Sequence, residues 1–281
     1  MTMKIKMKAA DYSGWYLLSD MDGTLIDSQG STSEGNRRAI KTFTEGGGLF
    51  GIATGRAPNN LGDYLEGLPI NAPCVFYNGG AVYDLKNRTF LDKRVLDKES
   101  VRPVLTEVLR RFPDAVTEIF TPEMLNIVSK GKGKDEAIER DKMPCRFTAV
   151  EALAEEEWIK VLFHAEPELL AKIADCALEK LPKRGFEKFF SGPTYFEILP
   201  EGTTKGAGLS AIARLPQYKD RRFAAIGDYD NDSFMLKEAD LGIAVANASP
   251  QCLASADITG ADNDSDALAD AIFRILPSQR L

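Results

Sequence analysis

Cysteine and histidine are scarce in this 281-residue chain, which holds four of the first and one of the second. Cys74, Cys145, Cys176 and Cys252 are widely scattered and form no CxxC pair, which argues against a disulfide framework and a Cys/His zinc site. Free, buried thiols are expected instead. His164, at the end of an apolar run over 159–163, reads as a structural residue, and Trp15 and Trp158 read as packing residues. An excess of positive charge is also missing: 35 Lys and Arg against 42 Asp and Glu give a net charge of −7. That balance argues against a general nucleic-acid binder, although a local group of Lys and backbone N–H donors can still bind phosphate. No apolar run reaches membrane-spanning length, and the Lys-rich residues 1–10 lack the apolar stretch of a signal peptide, so no membrane partner and a cytoplasmic location are expected. Oligomeric state is not legible.

Hydrophobic residues make up 44% of the chain and charged residues 27%, enough for a sizeable core. The length suggests two domains, or one core with a large insertion. Residues 15–20 read as a short buried parallel strand closed by an acid. A helix capped by Thr32 or Ser33 and ended by Gly46 to Gly48 follows, then a strand over 49–53, which makes a βαβ unit. A helix is expected over 59–66, a third strand over 74–77 and a hairpin around Lys86-Asn87. Between about 97 and 192 the pattern changes to a helix (98–111), paired strands (115–120 and 125–129), and a strand and helix within 158–181, the mark of an α+β insertion. Helix 205–214, strand 223–226, helix 233–237 and strand 241–245 then restore the βαβ rhythm. The expectation is therefore a doubly wound, mainly parallel α/β core formed by 1–95 and 195–281, with an inserted α+β cap at 96–194. No internal repeat and no Walker motif is present, and the Gly-Lys-Gly-Lys run at 131–134 reads as a solvated cap loop.

Four short segments at predicted strand ends carry chemistry. In Asp20-Met21-Asp22-Gly23-Thr24-Leu25, two carboxylates one residue apart suit a nucleophile and an acid/base partner. Asp20 could attack phosphorus, and Asp22, were its pKa raised enough to keep a proton, could protonate the leaving oxygen. DxDG also occurs in calcium loops and plain turns. Thr54 and Gly55, in Ala53-Thr54-Gly55-Arg56, offer a hydroxyl and an unobstructed N–H to a phosphoryl oxygen, or form only a turn. Arg56 could touch substrate or pair with a carboxylate, and Asn78-Gly79 could border the pocket or merely turn the chain. Lys205, near a helix N-terminus where a cation opposes the dipole, suggests an anion beside it, or is a solvated surface Lys. Gly227-Asp228-Tyr229-Asp230-Asn231-Asp232 offers hard oxygens to Mg²⁺, with Asp228 the best ligand, unless it is simply a polar turn. Four such elements in this order make a set of bland turns the poorer reading.

These segments, with Ser233 to Ala248, Tyr77-Asn78-Gly79-Gly80 and Phe196 to Gly206, resemble the haloacid dehalogenase-like superfamily and, within it, the Cof-type sugar-phosphatase branch. The resemblance implies Asp20 as nucleophile and Mg²⁺ ligand, and Asp22 as acid/base that also lends a backbone carbonyl to the metal. It further implies Asp228 as the third protein ligand, with Asp232 behind it. Thr54, Gly55, Lys205, Asn231 and the N–H of Met21 would cradle phosphate. The implied activity is hydrolysis of small phosphorylated metabolites such as sugar phosphates. Asp22 speaks against the superfamily's dehalogenases and transport ATPases, which lack an Asp there. A phosphomutase, or a non-catalytic sensor of phosphorylated ligands, is the alternative.

Overall fold

The computed structural model describes residues 11–61, 63–129, 138–139 and 142–279. The Lys-rich residues 1–10 and the Gly-Lys run at 131–134 lie outside them. Strand β1 (Trp15–Ser19) is buried at every position, as a parallel strand covered on both faces must be. It sits between β2 (Leu49–Ile52) and β12 (Arg222–Gly227), and the full order is β14-β13-β12-β1-β2, with β13 at Leu241–Ala244 and β14 at Ile258–Thr259, all parallel.

Helix α1 (Glu34–Glu45) joins β1 to β2, and its Ser33 cap accepts the Asn36 N–H at 3.1 Å. From β1 the chain winds one way to β2, and from β12 it winds the other way to β13 and β14. Right-handed crossovers therefore place the connecting helices on opposite faces. The reversal falls between β1 and β12, so the crevice at their carboxyl ends is the topological switch point where ligands bind in open α/β sheets. Asp20 and Asp228 are the first residues past those two strands.

One expectation for the core needs correction. Residues 59–61 and 63–66 form turns, closed by i→i+3 bonds such as Asn60 N–H to Ala57 O and Glu66 N–H to Asp63 O, and not a helix. Two Asn, an Asp and Gly62 within the segment, with Pro58 before it and Gly67 after it, give it poor helix propensity. The expected third strand is present as β3 (Cys74–Phe76), which meets the parallel sheet through the isolated bridge Ala53 to Val75 and the Ile52 N–H to Cys74 Sγ contact at 3.4 Å. It belongs to a small antiparallel sheet with β4 (Ala81–Asp84) and β5 (Thr89–Lys93), whose hairpin is where Lys86-Asn87 predicts it.

The intervening segment builds a six-stranded sheet, ordered β10-β11-β9-β6-β7-β8. Its strands are β6 (Val116–Phe120), β7 (Leu125–Ile127), β8 (Cys145–Phe147), β9 (Lys160–His164), β10 (Phe186–Gly192) and β11 (Tyr195–Pro200). Strand alternation gives it two different faces. Ile119, Val161, Phe163, Phe196 and Ile198 share one apolar cluster with Val101, Val104, Leu105 and Val108 of α2 (Lys98–Arg111) and Leu170 and Ile173 of α3 (Pro167–Lys180). Phe120, Leu162 and Leu199 join the main core cluster. Trp158 is fully buried and its indole N–H donates to Leu153 O at 3.1 Å. Trp15 is also buried, beneath the Arg222 guanidinium.

Strand β11 pairs antiparallel with both β10 and β9, so this sheet runs to Pro200 and the boundary expected at 194 falls inside it. Pro193-Thr194 is the turn of the β10–β11 hairpin, and with the preceding Gly192 it resembles a linker in sequence. We propose that the second unit covers about 96–200. Ile226, at the centre of β12, is fully buried. Ile226→Ala should cost about 2–5 kcal/mol, read as a lower denaturant midpoint; an unchanged midpoint would contradict its central packing.

Candidate functional site

The site starts from Lys205, the first residue of α4 (Lys205–Ala213), held by the Thr204 cap that accepts the Ala207 N–H at 3.0 Å. A cation here opposes the helix dipole, and the lysine is only 2% exposed. Two carboxylates compensate it: Nζ lies 2.6 Å from Asp20 Oδ1 and 2.6 Å from Asp232 Oδ1. Burial alone would pull its pKa down, but the two anions hold it above the ordinary lysine value. Burial, with the neighbouring Asp232 charge, pushes the Asp20 carboxyl well up against the opposing pull of Lys205. Burial also raises Asp228, against the contacts with Asp20 and the Thr24 hydroxyl, which donates to Asp228 Oδ1 at 2.9 Å.

Asp20, Asp228 and Asp232 bring ligand oxygens within 4.8 Å of one another. Such crowded carboxylates fit a hard divalent cation such as Mg²⁺. Asp232 is fully buried, and both its oxygens are already engaged, Oδ1 by Lys205 and Oδ2 by the N–H groups of Asp228 and Tyr229 at 3.1 Å each. It therefore braces the site, and Asp20 and Asp228 are the pair left to hold a cation. Gly23 allows their approach: at φ +83°, a Cβ there would lie 2.6 Å from Asp228 Oδ2.

Around these groups lies a cavity of about 510 Å³. It is lined by Asp20, Asp22, Thr54, Gly55, Lys205, Asp228 and Asn231, so all the expected side-chain positions except Met21 converge on it. Met21 has its side chain in the core. Thr54 is buried and its Oγ1 accepts the Arg56 N–H at 3.2 Å. Asn231 Nδ2 donates to Asn78 Oδ1 at 3.0 Å, which brings Asn78 into the wall.

Asp22 lines the cavity in the grip of Arg56. Its side chain is 56% exposed and bound at both oxygens by Arg56, from Nε at 3.0 Å and Nη2 at 2.8 Å. Arg56 sets where the carboxylate stands. His164 does not line the cavity and packs on Tyr195 with ring centroids 4.8 Å apart, a structural position as expected. The four cysteines are free; burial pushes Cys74 and Cys252 up to about 12, so neither is a ready nucleophile.

Three charged cavity residues are not marked by any motif in the sequence: Glu118, Lys160 and Glu197, from β6, β9 and β11. Each is a charged residue inside an otherwise largely apolar strand, and that pattern was the available signal.

A family model described as haloacid dehalogenase-like hydrolase matches residues 17–272. The chain belongs to that family. Over 90% of this chain and 92% of its own length, it is 28% identical to 5-amino-6-(5-phospho-D-ribitylamino)uracil phosphatase YcsE of Bacillus subtilis. The chloroplastic endoribonuclease YBEY of Arabidopsis thaliana is 27% identical across 92% of this chain, but the chain spans only 46% of that protein. A haloacid dehalogenase-like hydrolase from Bacteroides thetaiotaomicron superposes with a TM-score of 0.78 at 25% identity, covering 93% of this chain and 99% of the other. A Plasmodium vivax HAD/COF-like hydrolase, at 20% identity, shares the fold with a TM-score of 0.80 over 95% of this chain and 97% of its own. Among the described residues no helix is long and apolar enough to cross a membrane.

Two outcomes follow from the site. Asp20 and Asp228 have raised carboxyl pKa values, so the metal-free fold binds more protons than the unfolded chain and loses stability as pH rises from the ordinary carboxylate range through the raised values. At neutral pH, Mg²⁺ in large excess should then raise Tm by several degrees, and Asp228→Asn should shrink that rise; a Tm indifferent to Mg²⁺ would contradict the site. Gly23→Ala should displace Asp228 and lower phosphate release on the order of 100-fold in a folded protein, and wild-type rates would show that the close approach is not needed.

Proposed function

We propose that the chain is a Mg²⁺-dependent phosphatase that hydrolyses small phosphate monoesters, sugar phosphates or related metabolites, through a phospho-aspartate on Asp20. We place it in the cytoplasm, with neither nucleic acid nor membrane as partner. The observation that carries the reading is the buried Lys205, which clamps Asp20 at 2.6 Å beside Asp228, at the floor of a cavity that also gathers Thr54, Gly55 and Asn231. The phosphatase named above as a Bacillus subtilis relative acts on a phosphorylated metabolite of this general kind.

Lys205 fixes the Asp20 rotamer so that a carboxylate oxygen can face phosphorus. Thr54 Oγ1, the N–H groups of Met21 and Gly55, Asn231 Nδ2 and Lys205 would hold the three equatorial oxygens and stabilise charge as it builds on them. Asp20 forms the O–P bond as the ester O–P bond breaks, and Asp22 gives its proton to the departing oxygen. Asp22 then takes a proton from water as that water attacks phosphorus, the Asp20–P bond breaks and inorganic phosphate leaves. Arg56 is a positioning residue that holds the Asp22 carboxylate at the cavity wall in the free protein, and this double contact must open for Asp22 to carry the proton it gives. Asp20, Asp228 and the Asp22 backbone carbonyl would hold Mg²⁺, which when bound supplies positive charge against the phosphoryl oxygens.

The reading is tested by continuous phosphate release from a panel of phosphorylated metabolites with Mg²⁺ and without a bisphosphate activator, a condition that a phosphomutase would not meet. Asp20→Asn should abolish turnover in a folded protein, and retained activity would remove the covalent route. Asp22→Asn should slow aspartyl phosphorylation by about 100-fold or more with a sugar phosphate, and by clearly less with an aryl phosphate whose leaving group needs no proton. Rapid-quench kinetics showing equal slowing for both esters would take Asp22 out of the acid role.

A further inference from the structure

We propose that Lys160 and Glu197, on the inner face of the second sheet, form the subsite that reads the leaving group, and that they select a neutral, hydroxyl-bearing group over one with a second anionic charge. This inference rests on the phosphatase reading and adds the substrate class to it.

Both side chains are 4% exposed, yet both line the cavity that holds Asp20 and Asp228. The sheet register puts them together. Glu197 pairs across the strands with Leu162, and Lys160, two residues before Leu162 on the same face, is its diagonal neighbour. Lys160 Nζ stands 3.3 Å from Glu197 Oε2, 3.3 Å from the carbonyl oxygen of Gly55 and 4.5 Å from the centre of the Phe120 ring. The ammonium therefore touches both the second sheet and the loop expected to bind phosphate.

A buried ion pair is weak evidence for stability, because an apolar pair of the same volume often does as well. Its place here, facing the reacting centre, is better explained by a ligand. Glu197 Oε2 has the lysine nearby but accepts no hydrogen bond among the described residues, a costly state for a buried carboxylate oxygen. A substrate hydroxyl answers both groups at once, since its O–H can donate to Glu197 while its oxygen accepts from Lys160. A carboxylate has no proton to give at neutral pH and a second phosphate, with its second pKa at about 6, is mostly dianionic; either would meet Glu197 and the buried Glu118 on the same wall. An amine would suit Glu197 but would face the Lys160 charge. Phe120 and Tyr195, which also line the cavity, offer flat apolar surface to the C–H faces of a polyol or sugar.

The test compares kcat/KM for a hexitol monophosphate, the matching hexitol bisphosphate and p-nitrophenyl phosphate, with Mg²⁺, in wild type, Glu197→Gln and Lys160→Met. Wild type should prefer the monophosphate over the bisphosphate by about 10-fold or more. In Glu197→Gln and in Lys160→Met the ratio of hexitol monophosphate to aryl phosphate should fall by about 10-fold, and in Glu197→Gln the bisphosphate gap should narrow. Equal wild-type use of mono- and bisphosphate overturns the proposal, a comparison that stands even if neither variant folds. Ratios unchanged in both folded variants overturn it as well. If wild type releases phosphate from none of the three, the phosphatase reading itself fails, and this inference with it.

Discussion

A lysine ammonium buried between two carboxylates governs this site. Lys205 could not remain charged at 2% exposure beside a helix N-terminus without Asp20 and Asp232, and those carboxylates could not crowd together without it. Each partner is set by a different element: Asp20 by the end of β1, Asp232 by the turn after β12, Lys205 by the Thr204 cap. The adjacency of β1 and β12 at the reversal of strand order brings them within reach. Parallel pairing, crossover handedness and local electrostatics thus converge on one point.

The core was legible because its signals are contiguous. Asp20, Thr54, Lys205 and Asp228 each lie in a short segment at a strand or helix end, where a few consecutive residues reveal both the element and its chemistry. Relations across the chain were hidden. The Arg56 grip on Asp22 joins residues 34 apart, and the sequence left Arg56 with several roles open. Glu118, Lys160 and Glu197 meet only through the register of three strands, which no local pattern fixes. The boundary expected at 194 falls on a hairpin turn whose composition is that of a linker, and residues 59–61 and 63–66, in a stretch with two Asn, an Asp and a Gly, form turns in place of a helix.

The two faces of the second sheet divide its tasks. One packs apolar residues on α2 and α3 and holds the unit together. The other carries Glu118, Phe120, Lys160, Leu162, Tyr195 and Glu197 toward the carboxylates of the core. Because side chains alternate along a strand, substitutions on the inner face can change the cavity while leaving the helix-packed face intact. The core residues that would bind phosphate and the residues that would read the rest of the substrate are thereby separated, joined by the Lys160 contact to the Gly55 carbonyl.

The most direct test of the account is to find where phosphorus goes during turnover. The protein, mixed with a hydrolysed phosphate ester and Mg²⁺, is quenched in acid within the first turnovers, reduced with borohydride and mapped by peptide mass spectrometry. The account predicts a phosphoryl-derived mark on Asp20 alone, enriched in Asp22→Asn, where breakdown of the intermediate is slowed. Phosphate release proceeding with no mark on Asp20, or with the mark on another residue, would contradict it.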